Sequence, residues 1–142
     1  MIFFLAIICS IILLIISLFH FYWAFGGTFA IDRVIPKNTK EVKVLKAPSI
    51  LTLLVAFFVL LIFSSYIQVA KIYDFYFLPQ WIKTNGLLIF SSIFLLRAIG
   101  DFKYVGFFKK VKQTKFAVND TKYFSPLCLF LALSGYLLLL LN

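Results

Sequence analysis

The feature that most constrains this chain is the length of its uncharged stretches. Residues 2–19 carry no charged side chain, and only Ser10 and Ser17 bring hydroxyls. At about 1.5 Å of rise per residue, such a run makes a helix about as long as the hydrocarbon core of a bilayer is thick. Residues 50–67 form a second uncharged run. It follows Pro48, whose missing N–H goes unnoticed in a first helical turn. A third span over 81–100 contains Lys83 and Arg97 near its two ends, from where both can snorkel to water. A fourth, 124–141, opens at Ser125 and Pro126 and finishes in leucines.

Composition supports a lipid solvent. With 63% hydrophobic and 13% charged residues among 142, the apolar side chains exceed what a water-soluble domain of this size can hide. Backbone groups in lipid must be hydrogen-bonded within their own segment. The expectation is an all-α integral membrane protein, an antiparallel four-helix bundle with spans of about 2–25, 48–70, 81–100 and 124–141, forming a single transmembrane domain over 1–142. The first span has no basic region before it, and it ends in His20, Phe21, Tyr22 and Trp23 instead of a small-residue cleavage site. It is therefore expected to stay uncleaved.

The chain carries 14 Lys and Arg against 5 Asp and Glu, a net charge of +9. In a soluble protein that balance would suggest nucleic acid. Here twelve of the 14 basic residues lie in or beside the segments 26–47 and 101–123, and only Lys71 and Lys83 lie between the second and third spans. The positive-inside rule accounts for this asymmetry. It places loops 26–47 and 101–123 in the cytoplasm and both termini outside, with no nucleic-acid partner. The outer segment Tyr73 to Trp81 is rich in aromatic residues and turns at Pro79, as an interfacial belt would.

Both basic loops leave their helix through glycine, Gly26 and Gly27 in one and Gly100 in the other, and both return near a proline. A duplicated hairpin would explain this, as would the general need for Gly to stop a helix and Pro to restart one. In the second loop, Tyr104, Val105, Phe107, Phe108 and Val111 fall within an arc of roughly 160° on a helical wheel. Two readings fit. One is a short interfacial helix with Lys103, Lys109 and Lys110 toward anionic head groups; the other is an irregular basic loop.

Little in the chain suggests covalent chemistry. Cys9 and Cys128 lie at different depths and should not pair. One histidine and no cysteine pair at ligand spacing give no metal site, and no cofactor motif is present. All five carboxylates fall in loops or at helix ends, which argues against a proton-coupled transporter with an acid at midplane. What remains is a coincidence of depth. His20 and Trp23 end the first span, Arg97 and Asp101 end the third, and Asp120 and Tyr123 precede the fourth. These six are the candidate ligand-binding residues.

Arg97 and Asp101 are spaced i, i+4, so a salt bridge that fixes the helix end is one reading. The other is a polar pocket in which Arg97 holds an anionic head group or carboxylate while His20 and Asp101 orient it or move a proton. The function expected first is a non-enzymatic membrane component that binds a lipid, a hydrophobic ligand or a partner span. An enzyme acting on a lipid-soluble substrate, with His20 or Asp101 as acid or base, comes second. A homo-oligomeric channel or carrier comes third.

The segments HFYWAFGG (20–27), LRAIGDFKYVGFF (96–108) and FAVNDTKYFSPLCL (116–129) resemble the signature blocks of a bacterial family of small four-span membrane proteins of unknown function. The resemblance implies motif positions at His20, Trp23, Gly26, Gly27, Arg97, Gly100, Asp101, Gly106, Phe116, Asp120, Ser125 and Pro126. It also implies a bacterial cytoplasmic membrane as the location, and it brings no activity with it.

Overall fold

The computed structural model describes residues 1–36 and 49–141. Lys37, Lys40, Lys43 and Lys46 of the first basic loop, and the helix start expected at Pro48, lie outside the described residues. Within them the chain is helical, with no strand: α1 Ile2–Ala24, α2 Ile31–Val34, α3 Ser49–Val69, α4 Gln80–Ile99, α5 Lys115–Asn119, a π-helical turn Asp120–Phe124, and α6 Ser125–Leu141. Four helices are long and apolar enough to cross a membrane; the first three have bounds within a residue of the expected spans, and the fourth starts earlier, at Lys115. Helix α1 packs along α3 and α4 along α6, so each basic loop closes an antiparallel hairpin. The two hairpins meet where α3 touches α4 and α1 touches α6.

What each helix buries explains how closely they approach. Helix α1 turns Ala6, Cys9, Ser10, Leu13 and Ser17 inward, a stripe at intervals of three and four. Lipid tails are as apolar as leucine, so burial alone does not drive such helices together, and small residues that admit a close backbone approach take over that role. Gly135 on α6 shows how close the approach is. A Cβ there would strike the Ser91 hydroxyl of α4 and lie 2.9 Å from the Tyr66 hydroxyl of α3.

Hydroxyls bridge the same interfaces. Tyr66 donates to the Leu131 carbonyl at 2.8 Å, Ser17 to the Ala56 carbonyl at 3.0 Å, and the Ser92 and Tyr136 hydroxyls meet at 2.9 Å. Other buried serines bond back to their own helix, Ser10 to the Ala6 carbonyl and Ser91 to the Leu87 carbonyl, each at 2.7 Å. No bare hydroxyl is thereby left among hydrocarbon at these four serines and two tyrosines. The outward faces carry large apolar side chains such as Phe4, Leu54, Phe57 and Leu133, all exposed, as expected of lipid-facing surface. These features mark a multi-pass membrane protein.

Two local features differ from the sequence expectation. The last helix does not begin at Ser125 and Pro126. It begins at Lys115, where the Thr114 side chain caps it by accepting the Ala117 N–H at 3.1 Å, and it passes through the π turn into α6. Pro126 offers no N–H to the Lys122 carbonyl, and its ring crowds that carbonyl. A widened preceding turn absorbs the misfit, and the Ser125 N–H reaches the Asp120 carbonyl five residues back. The second loop is irregular, with no helix between Gly100 and Thr114. Of the two readings of that segment, the loop is the one observed.

At the opposite end of the bundle, Lys83 does not reach out to water alone. Its Nζ pairs with Asp74 at 2.6 Å and sits 5.8 Å from the centre of the Tyr76 ring. Tyr76, Phe77 and Trp81 are exposed around it, in keeping with an aromatic belt.

Candidate functional site

The centre of the basic end is Asp120, fully buried. Its position follows from the π turn, which starts at this residue and aims it back toward α4. Arg97 Nη2 donates to Asp120 Oδ1 at 2.9 Å. Lys109 Nζ donates to Oδ2 at 3.0 Å, and the Gly106 backbone N–H donates to the same oxygen at 2.8 Å. The ammonium of Lys109 completes its bonding with the Gly106 carbonyl at 2.8 Å and the Thr121 hydroxyl at 2.7 Å. A buried ion costs several kcal/mol unless it is paired and hydrogen-bonded, and both Asp120 and Lys109 meet that condition.

The loop 100–109 is shaped to deliver these groups. Gly100 and Gly106 have φ of +90° and +88°, in the region that disfavours side chains by about 1–2 kcal/mol. A Cβ on Gly100 would run into the Val105 carbonyl, and one on Gly106 into the Ile99 carbonyl. The two glycines thus let the loop close on itself. Between them Asp101 Oδ1 accepts the N–H groups of Lys103, Tyr104 and Val105 at 2.7–2.9 Å. Partial burial alone would raise the Asp101 carboxyl, but the N–H groups of Val105, Lys103 and Tyr104 outweigh it and hold the group below its ordinary value. The Phe107 N–H then returns to the Ala98 carbonyl at 2.8 Å.

Beside this network the helix ends leave two partly open cavities of about 450 and 440 Å³ that share His20, Trp23, Val34, Val55, Arg97 and Phe116 in their walls. The outer one reaches Leu51 and Thr52 on α3, and the inner one reaches Ile62 on α3 and Leu131 on α6. Leu51 to Ile62 is about 16 Å of helix. The polar groups cluster toward the basic end, and the deep walls are apolar. His20 Nδ1 lies 2.8 Å from the Ile16 carbonyl. A carbonyl only accepts, so Nδ1 carries the proton and Nε2 is the ring nitrogen not used by the helix. Trp23 stacks edge-on to His20 at 5.3 Å and donates to the Phe29 carbonyl at 2.8 Å, which folds the chain after α1 back, and Ile31, Val34, Ile35 and Pro36 line the outer cavity. Gly27 permits that return, because a Cβ there would strike the Tyr22 ring.

Of the six candidate residues, the structure brings His20, Trp23 and Arg97 to the cavity wall and sets Asp120 directly behind Arg97. Asp101 does not join them. The pairing expected with Arg97 at i, i+4 fails because α4 stops at Ile99 and Gly100 turns the chain away, leaving Asp101 to cap its own loop. Tyr123 points outward, exposed, with Lys122 Nζ 5.2 Å from its ring centre. Among the motif positions, Phe116 lines both cavities, and Ser125 is fully buried with its hydroxyl unpartnered among the described residues. Gly26, at φ +91°, ends the turn after α1.

Lys109 is the residue that sequence reasoning misplaced. The interfacial-helix reading, one of the two open for this segment, sets it toward head groups, whereas it is buried on Asp120. The wheel presupposed a helix that the two positive-φ glycines prevent. The signal that was available is electrostatic: Asp120 is an acid amid lysines, and it needs a cation wherever it is buried.

Comparison with known families finds a match to the model described as "Protein of unknown function (DUF3995)" over residues 13–134. No curated protein and no solved structure matches the chain.

Proposed function

The chain belongs to this family of proteins of unknown function, and from that premise we propose that it is a non-enzymatic membrane component that binds a lipid or another hydrophobic ligand in the cavity between its helix ends. The observation that carries this reading is the shape of polarity in the cavity, with Arg97 and His20 at one end and Val59, Ile62 and Leu131 at the other. Ligand sites are typically concave, mostly apolar and marked by a few placed polar groups. The Asp120 network supports the reading by holding Arg97 and the loop in place as a rigid rim. In this reading the basic end faces the cytoplasm and both termini lie outside, because twelve of the 14 Lys and Arg residues flank that end. The exposed outer faces contact membrane lipids.

The reading is tested by native mass spectrometry of the full-length protein released from detergent. The wild type is expected to retain a lipid-sized adduct. Val59→Trp, which fills the deep end, should lose it while keeping its helicity and thermal stability; Val55→Phe provides a second filling variant if Val59→Trp is unstable. A wild type without an adduct, or an adduct indifferent to both substitutions, contradicts the proposal.

A further inference from the structure

We infer that the ligand of this cavity is an anionic amphiphile, with a negatively charged head group on Arg97 and its tail lying along α3. The inference rests on the cavity being a ligand site and adds the chemistry of the head group. The network beside the cavity holds two cations, Arg97 and Lys109, against one carboxylate, Asp120. One positive charge is therefore unbalanced within it, at a place where charges are expensive unless paired.

Arg97 is the cation with capacity to spare. Lys109 spends its three N–H groups on the Gly106 carbonyl, Asp120 and Thr121. Arg97 gives Nη2 to Asp120, while Nη1 has no hydrogen-bond partner among the described residues and is closed to water, so a head group meets it only as the guanidinium turns toward the cavity. Oδ1 of Asp120 takes Nη2 alone and Oδ2 takes Gly106 and Lys109, so the pair with Arg97 is single and not a two-bond fork. A third of the Arg97 side chain, 33%, is still accessible, and the residue lines both cavities. A guanidinium is a planar fork of donors suited to the paired oxygens of a carboxylate or phosphate. Nε2 of His20, left as an acceptor because Nδ1 carries the proton, can take a hydrogen bond from a hydroxyl of the head group but not from its anionic oxygens. Past these two side chains the inner cavity is walled by residues such as Val59, Ile62, Leu127 and Leu131. A free anion would use the rim and leave that apolar space unfilled, and a neutral lipid would fill the space and leave the charge unanswered. An amphiphile does both.

The test uses the full-length protein in phosphatidylcholine nanodiscs, with Trp81→Phe so that Trp23 is the sole tryptophan. Quenching of Trp23 by dibromostearate is compared with quenching by the corresponding dibromo fatty alcohol at equal mole fraction in the bilayer. The acid is expected to bind about ten- to a hundredfold more tightly, the worth of one charged hydrogen-bonded contact. Arg97→Gln should remove that preference, and Arg97→Lys should restore part of it. Where Arg97→Gln does not fold, acid against alcohol on the unsubstituted site decides alone. Equal binding of acid and alcohol overturns the head-group inference and leaves the cavity reading standing. Absence of saturable quenching by either overturns both. Relief of quenching by acetate or inorganic phosphate, at concentrations comparable to the probe, assigns the site to a free anion and overturns the amphiphile.

Discussion

At the scale of single residues, Asp120 decides how the basic end is built. Its carboxylate is the shared partner of a guanidinium, an ammonium and a backbone N–H, so the consequences of removing it and of removing one cation differ. Asp120→Ala leaves two cations facing each other without a carboxylate and should destabilise the protein by about 3–5 kcal/mol. Lys109→Met leaves Asp120 still bonded to Arg97 and Gly106, and should cost about 1–3 kcal/mol. Thermal unfolding of the two variants in detergent checks the order, and a larger loss for Lys109→Met would show that the ammonium, not the carboxylate, organises the site. That Arg97 and Asp120 lie at one level was legible from depth alone, since both sit where the spans end. Their pairing with each other was not, because it depends on a turn at Gly100 that redirects Asp101. Spacing along a helix is informative only as far as the helix runs.

At the scale of elements, the spans were legible because the absence of charge over about 20 residues leaves the chain few alternatives in lipid. The π turn was not, because a proline just inside an apolar run reads as a helix start. Only the capped segment from Lys115 onward shows that a helix already precedes it. The loop between α4 and α5 is an element in its own right, held by Asp101 and by the contact of Gly100 with Gly106. Gly106→Ala should release it, adding a clash with the Ile99 carbonyl to the strain of its positive φ. Faster amide hydrogen exchange at Lys103, Tyr104 and Val105 is the expected readout. Acid should act in the same direction. Asp101 is held below its ordinary value, so its hold on the loop is complete above the unfolded-state value near 3.8 and is lost as pH falls through the lower folded-state value. Protection that is unaffected by either change would mean the loop is held by other contacts.

At the scale of the whole molecule, two hairpins pack closely through small residues along part of their length and part at the basic end, where His20, Arg97 and Phe116 surround open space. The same bundle therefore combines a tight polar clasp around Ser91, Gly135 and Tyr66 with a cavity closer to the basic end. Composition and the lengths of the uncharged runs revealed the membrane-spanning helices. They could not reveal the cavity, which arises from which side chains fail to fill the space between helices. The most direct test of the central claim is photocrosslinking of the full-length protein, in bilayers, with a fatty acid bearing a diazirine near its methyl end, followed by peptide mapping. The account predicts labels on Val59, Ile62 and Leu131, deep in the bundle, that disappear when the cavity is filled by Val59→Trp. Labels confined to outward-facing residues such as Leu54, Phe57 and Leu133 would contradict it.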